Sequence, residues 1–311
     1  MSRVESRAHD GVSRAPNADA NEPRDGARAS DATTSGQHEL TPHDVLLRGV
    51  RLRYLDAGRG DDTPVLLLHG LGESRLQWSA LAAQLSRERR VIALDFPGFG
   101  DSEGPPPSRF AYSYEGLAEV MLDLVAALGL GRVALVGHSM GGGVAMVAAA
   151  DRPEFVERLV LIAPSCYATP RTIVDRLVSM PMLGPAIFRR LLGPIALRRH
   201  VRDGDSAGPH EASFEMLRRS SSTATLEARV SRVRCPTLVI WGRGDRVAPW
   251  THGQRLAREI TGARLEVLDC GHAPEREQAD AVAALIERFV TPIPLETPAV
   301  VRRARAKNRF G

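Results

Sequence analysis

The chain has 311 residues, of which 43% are hydrophobic and 25% are charged, and its formal net charge at pH 7 is +4. This composition is ordinary for a globular protein and excludes collagen-like, disulfide-scaffold and wholly disordered chains. The positive charge belongs to the C-terminal tail, whose last ten residues hold Arg302, Arg303, Arg305, Lys307 and Arg309. Because the body of the chain is near neutral, no nucleic-acid partner is predicted.

The cysteines and the apolar runs indicate the cellular compartment of the protein. Cys166, Cys235 and Cys270 are far apart and form no CxxC pair, which predicts reduced thiols and a cytoplasmic protein. No apolar run approaches the ~20 residues that span a bilayer, and the N-terminus lacks the apolar stretch of a secretory signal. We therefore expect no stable membrane insertion.

The first predicted elements follow a polar segment. Residues 1–40 have almost no large apolar side chains, so we predict that they are disordered. From Val45 to Gly58 apolar and polar residues alternate, which is typical of a half-buried hairpin. Six short, mainly apolar runs follow, as expected for strands covered on both faces. They are Val65–Leu68, Val91–Leu94, Val133–Val136, Leu159–Ile162, Leu238–Trp241 and Leu265–Leu268.

Helical patterns separate these runs, with apolar residues at three- and four-residue spacing. They cover Leu76–Leu85, Leu117–Leu128, Val144–Ala150, Gly253–Ile260 and Ala281–Val290. This alternation predicts an α/β fold, a mostly parallel central sheet with helices on both faces. Ser165–Arg234 contains amphipathic pieces and prolines but no clear buried strand, so we predict a small helical cap. The predicted core is thus 41–164 and 235–290, the cap is 165–234, and 291–311 is a Pro-rich, then basic tail.

The strongest chemical signal is Gly137-His138-Ser139-Met140-Gly141, between a predicted strand and a predicted helix. This is the G-x-S-x-G pattern in its required context, a sharp turn that exposes a serine hydroxyl. Glycines two residues before and after Ser139 avoid side chains that would collide in such a turn. The sequence therefore predicts Ser139 as a nucleophile.

A serine hydroxyl needs a base to remove its proton. Of nine histidines, His272 fits best because it follows the last predicted strand, where its ring can reach the carboxyl edge of the sheet. His138 adjoins Ser139, so we expect its side chain to point elsewhere. Asp245, in a glycine-containing turn after Leu238–Trp241, is the predicted carboxylate that orients the base.

Acyl transfer also needs hydrogen-bond donors for the oxyanion. We expect one from the backbone N–H of Met140 and another from that of Leu71, in the loop His69-Gly70-Leu71-Gly72. Glycines in this loop let the backbone approach a substrate closely.

These features together resemble the α/β-hydrolase superfamily, specifically its capped esterase- and lipase-like members. The resemblance rests on the order Ser139, Asp245, His272, on the His-Gly loop and on Asp95-Phe-Pro-Gly-Phe-Gly-Asp-Ser102, and it covers Val45 to Val290. It implies that the triad and both oxyanion donors fall on the positions already named. It does not identify the substrate.

The predicted activity is hydrolysis of a carboxylic ester of a hydrophobic small molecule through an acyl-enzyme. Hydrolysis of a carbon–carbon bond in a diketone-like acid, a cofactor-free haloperoxidase or perhydrolase, and a non-catalytic ligand-binding protein remain alternatives. No cofactor is predicted, because Gly98-x-Gly100 is followed by Pro105, Pro106 and Pro107, a poor start for a phosphate-binding helix. No metal motif is present in the sequence, and the oligomeric state is left open.

Overall fold

The computed structural model describes residues 40–60, 62–168, 180, 212–216 and 224–291. The strands in chain order are β1 (Thr41–Leu47), β2 (Val50–Ala57), β3 (Val65–Leu68), β4 (Val91–Leu94), β5 (Val133–His138), β6 (Val156–Ile162), β7 (Thr237–Gly242) and β8 (Arg264–Leu268). The α-helices with defined bounds are α1 (Ser79–Leu85), α2 (Tyr114–Ala127), α3 (Met140–Asp151), α4 (Ala224–Val230), α5 (Thr251–Glu259), α6 (Pro274–Glu277) and α7 (Ala279–Val290). Two 3₁₀ helices span Arg75–Trp78 and Pro153–Phe155, and residues 212–216 are also helical.

Three of the predicted segments lie wholly or mostly outside the residues that the structure describes. The predicted disordered segment 1–40, except its last residue, lies outside the described residues, as does the tail 291–311 beyond its first residue. Most of the predicted cap, 165–234, also lies outside them. These three domain boundaries stay predictions.

The eight strands form one sheet in the order β1-β2-β4-β3-β5-β6-β7-β8. The pairs β1–β2 and β2–β4 are antiparallel, and every other neighbouring pair is parallel. The hairpin predicted at Val45–Gly58 is β1–β2, and its two-residue turn places Arg48 and Gly49 at positive φ (50° and 74°). The predicted mostly parallel α/β sheet is confirmed.

Helices cover the sheet on both faces. Alternate side chains of β3 go to opposite layers: Leu66 and Leu68 belong to the core that also holds side chains of α2, α3, α4 and α5, while Val65 and Leu67 belong to the core that holds side chains of α1 and α7. All four β3 side chains are completely buried, which explains why its sequence is continuously apolar. In the described part of the chain, no helix combines the length and apolar character needed to cross a membrane.

The direction of the strands positions the site. Because β3, β5, β7 and β8 are parallel, their carboxyl ends lie at one edge of the sheet. In open α/β sheets this edge is where ligands bind. The loops that follow these four strands carry all the residues predicted to act in catalysis.

Candidate active site

Ser139 lies in the turn between β5 and α3, with φ 50° and ψ −114°. Such a conformation costs a non-glycine residue about 1–3 kcal/mol and persists only where the surroundings enforce it. Here the Ser139 N–H donates to the carbonyl of Ile162 (3.0 Å), and its own carbonyl accepts from the N–H groups of Gly143 (3.1 Å) and Ser165 (2.9 Å). These three bonds hold the strained turn against β6 and α3.

The glycines around Ser139 are required by close packing. A Cβ on Gly137 would overlap the carbonyl of Gly141, and a Cβ on Gly141 would overlap the carbonyl oxygens of Leu68 and His69. The obstacles are backbone atoms, which cannot rotate away as side chains do. The reason given for the G-x-S-x-G spacing therefore holds in the structure.

The structure brings Ser139, His272 and Asp245 together. His272 Nε2 lies 3.2 Å from Ser139 Oγ, and His272 Nδ1 lies 2.7 Å from Asp245 Oδ2. The Asp245 side chain is fully buried and that of His272 is 21% exposed. A hydroxyl in contact with an imidazole that is itself held by a buried carboxylate is the arrangement that activates a serine.

Asp245 accepts four hydrogen bonds. Its Oδ1 receives the N–H groups of Val247 (2.7 Å) and Ala248 (3.0 Å), and its Oδ2 receives Trp241 Nε1–H (3.1 Å) in addition to His272. Burial opposes ionisation of this carboxyl, but the bonds from His272, Ala248 and Val247 outweigh burial, so the pKa of Asp245 lies below its ordinary value. Asp245 is therefore a carboxylate at neutral pH.

The two expected oxyanion donors come from the start of α3, directly after Ser139, and from the loop after β3. Met140 is the first residue of α3, so its N–H has no acceptor within the helix. Leu71 is in a turn closed by a bond from the Glu73 N–H to the Gly70 carbonyl (3.2 Å). A Cβ on Gly70 would come within 3.6 Å of the Ser139 Cβ, which places the Leu71 loop directly beside the nucleophile turn.

His138 does not contact the Ser139 hydroxyl, but it does contact the base. Its ring centroid lies 4.9 Å from that of His272, and its Nε2 lies 2.9 Å from the His272 carbonyl oxygen. Its Nδ1 lies 2.8 Å from Nε2 of Gln77, which also bonds Glu275 Oε1 at 2.6 Å. Sequence reasoning missed Gln77 and Glu275, because buried polar residues far apart in the chain form no motif.

His69 begins the Leu71 loop and bonds its backbone, and the charge of Asp95 acts on His69. His69 is fully buried, with Nδ1 2.7 Å from the Gly70 carbonyl and Nε2 accepting the Phe96 N–H at 3.1 Å. Burial lowers the pKa of His69, and the charge of Asp95 only partly opposes this. Asp95 itself forms a buried ion pair with Arg75.

Neither a metal centre nor a reactive thiol adds to this site within the residues that the structure describes. No group of three or more His, Cys, Asp and Glu side chains there is arranged to hold a metal ion. Cys166, Cys235 and Cys270 are free thiols. Burial raises the pKa of Cys270 to about 11, so this thiol near His272 is protonated at neutral pH.

Comparisons with known proteins agree with this architecture. Residues 63–194 match the family model described as alpha/beta hydrolase fold. The 2-hydroxymuconate semialdehyde hydrolase of Pseudomonas sp. strain CF600 is 31% identical over 268 residues, covering 79% of this chain and 93% of that protein.

Two solved structures are also similar. The enol-lactonase of Burkholderia xenovorans LB400 has a TM-score of 0.68 and 26% identity, covering 80% of this chain and 100% of that one. A thermophilic esterase from Thermogutta terrifontis has a TM-score of 0.64 and 27% identity, covering 80% of this chain and 97% of that one. On this sequence similarity and this sheet, the chain belongs to the α/β-hydrolase fold family.

Proposed function

We propose that this protein is a serine hydrolase that cleaves a carboxylic ester of a hydrophobic small molecule. The observation that carries the proposal is the continuous contact from the Ser139 hydroxyl through His272 to the buried carboxylate of Asp245. The similarity to an esterase and to a lactonase supports an ester-type bond. No cofactor enters the proposed reaction.

The proposed reaction has two halves. Ser139 Oγ attacks the acyl carbonyl while His272 Nε2 takes its proton, and the N–H groups of Leu71 and Met140 donate to the oxyanion. His272 then gives the proton to the leaving alcohol, which leaves an acyl group on Ser139. Water, deprotonated by His272, attacks this acyl-enzyme, the bond to Ser139 Oγ breaks as His272 returns the proton to it, and the carboxylic acid is released.

A hydrophobic substrate is supported by the apolar side chains near these loops. Val247 follows Asp245 by two residues and is 63% exposed. Leu71, in the loop beside Ser139, is only partly buried and packs on the edge of the main core. The sequence of 165–234, which we predict to be a helical cap, is also amphipathic.

The test uses p-nitrophenyl esters of increasing acyl length. The proposal predicts a burst of p-nitrophenolate equal to one per chain, followed by slower turnover, because p-nitrophenolate is released on acylation and we expect deacylation of so activated an ester to be the slower step. Ser139→Ala should abolish both phases while the variant stays folded. Ester turnover at the wild-type rate in Ser139→Ala would refute the proposed nucleophile.

A second candidate is hydrolysis of a carbon–carbon bond in a diketone-like acid. The similarity to the 2-hydroxymuconate semialdehyde hydrolase favours it. A vinylogous diketone acid assayed beside the esters separates the two candidates. Ester hydrolysis is the function if kcat/KM is highest for an ester, and carbon–carbon hydrolysis is the function if it is highest for the acid.

A further inference from the structure

A buried polar cluster lies next to the proposed base His272. It consists of Gln77, His138 and Glu275. Their exposed fractions are 7%, 5% and 1%. The three residues come from the 3₁₀ helix before α1, from the end of β5 and from α6. Burying three polar side chains costs free energy unless hydrogen bonds compensate, so their bonding pattern is informative.

The hydrogen bonds of Gln77 fix the orientation of its amide. The Gly70 N–H can only donate, and it lies 3.1 Å from Oε1. The amide nitrogen therefore faces the other two partners, where its two hydrogens are donated to Glu275 Oε1 (2.6 Å) and to His138 Nδ1 (2.8 Å). Only this orientation of the amide satisfies the Gly70 N–H, Glu275 Oε1 and His138 Nδ1 together.

This orientation determines the tautomer of His138. Because Nδ1 accepts from Gln77, the ring proton is on Nε2. That Nε2–H points at the carbonyl oxygen of His272, 2.9 Å away. His138 therefore donates to the backbone of the residue that we propose as the base.

We propose that His138 is a positioning residue for His272, and that Gln77 selects the His138 tautomer that makes this possible. The inference rests on the proposed function, since it assigns His138 and Gln77 a task in the same reaction. Through its bond to Gly70, Gln77 also ties the Leu71 loop to the same cluster. One side chain thus links the loops that hold the proposed oxyanion donor, the nucleophile and the base.

Such a link would keep the catalytic groups at the distances that the reaction requires. The Ser139–His272 contact joins the turn after β5 to the loop after β8, and a displacement of about 1 Å in a catalytic group can cost about 100-fold in rate. The His272 ring is held from one side by Asp245. The His138 bond holds its backbone.

Two substitutions at His138 separate the donor from the acceptor. In glutamine the amide nitrogen lies as far along the side chain as Nε2, so His138→Gln keeps a donor for the His272 carbonyl. In asparagine the amide oxygen lies as far along as Nδ1, so His138→Asn keeps an acceptor for Gln77 and loses that donor. His43, exposed on β1, takes the same two substitutions as a control.

We expect His138→Asn to lower kcat for the best ester roughly 10- to 100-fold with KM within about threefold, and His138→Gln to stay within about fivefold of wild type. Each rate is divided by the folded fraction of the variant, which circular dichroism and thermal melting measure. Equal losses in the two variants, or an unchanged kcat in His138→Asn, would overturn the proposal.

A proton NMR measurement reads the position of His272 without any substrate. The hydrogen between His272 Nδ1 and Asp245 should give a downfield signal in wild type and His138→Gln, and a broadened or shifted one in His138→Asn. If Ser139 forms no acyl-enzyme, the proposed function fails while this signal still tests the positioning role. An identical signal in all three proteins would contradict the positioning role alone.

Gln77 provides a second, independent variant. Gln77→Met keeps the side-chain length but removes all three hydrogen bonds, so kcat should fall by the same order as in His138→Asn. Gln84→Met is the matched control, because Gln84 donates to Asp280 (2.7 Å) at the surface of α1. An equal kcat in Gln77→Met and Gln84→Met would overturn the role of Gln77.

Discussion

Asp245 shows how hydrogen bonds decide the role of one side chain. Its two oxygens each accept two bonds, from the backbone on one side and from Trp241 and His272 on the other. A carboxylate satisfies four donors because both of its oxygens are acceptors. No other polar side chain of this size could do so.

Asp245→Asn is therefore expected to inactivate the protein without unfolding it. The two backbone N–H groups retain the amide oxygen, so the amide NH₂ must face His272 and force the proton of the ring onto Nε2. In that tautomer His272 cannot accept the Ser139 proton, and kcat should fall about 10⁴-fold.

Steady-state ester hydrolysis measures this loss, and Asp269→Asn is its control. Asp269 is also close to the site in sequence, but its side chain is 88% exposed and pairs with Arg243 at the surface. A loss below tenfold in Asp245→Asn would contradict the proposed role of the carboxylate.

At the scale of elements, the turn between β5 and α3 depends on contact between backbones. Gly141→Ala places a Cβ against the carbonyl oxygens of Leu68 and His69, so α3 must move away from β3. We expect about 3 kcal/mol of destabilisation from this overlap. Urea denaturation measures it, and kcat per folded chain should fall as well because Ser139 moves.

Gly129→Ala is the comparison for this prediction. Gly129 has φ 60°, but a Cβ there meets no atom within 4 Å. Its cost is only the left-handed backbone, about 1–2 kcal/mol, with kcat retained. If Gly141→Ala were no less stable and no less active than Gly129→Ala, the close packing inferred at the turn would be wrong.

Two strands that are buried on both faces could be predicted to the residue. β3 and β4 begin and end where their apolar runs do, because every side chain of such a strand is in the core. β5 extends two residues past its predicted end, since Gly137 and His138 do not resemble strand residues. The first turn of the helix predicted at Leu76–Leu85 is a 3₁₀ turn that brings Gln77 to the site.

Part of the candidate site could be predicted from the sequence, and part could not. Ser139, His272 and Asp245 could be placed from sequence because each follows a recognisable strand. The contacts of Gln77, His138 and Glu275 could not, because they depend on which loops meet in space. The only sequence signal is a polar residue, Gln77, between two large apolar residues, Leu76 and Trp78.

At the scale of the whole molecule, buried histidines link stability to pH. Burial lowers the pKa of His69 below its ordinary value of 6.5, so below that pH the unfolded chain binds a proton that the folded chain does not. The free energy of unfolding then decreases as pH falls, by up to about 1.4 kcal/mol per pH unit for one site. Half-buried His252, whose pKa is also lowered by burial, adds in the same direction.

We expect the free energy of unfolding, measured by urea denaturation from pH 7.5 to pH 5, to fall less steeply in His69→Gln than in wild type. Glutamine can still accept the Phe96 N–H but does not titrate. The exposed His43→Gln should keep the wild-type slope. Parallel curves for His69→Gln and wild type would contradict the assigned protonation state of His69.

The central claim of the account is that the Ser139 hydroxyl is made nucleophilic by its contact with His272. Its most direct measurement is peptide mass spectrometry after treatment with a fluorophosphonate. The account predicts one adduct per chain, on Ser139, with labelling at least about 100-fold slower in His272→Gln. A folded protein that forms no adduct, or forms one on another residue, would contradict it.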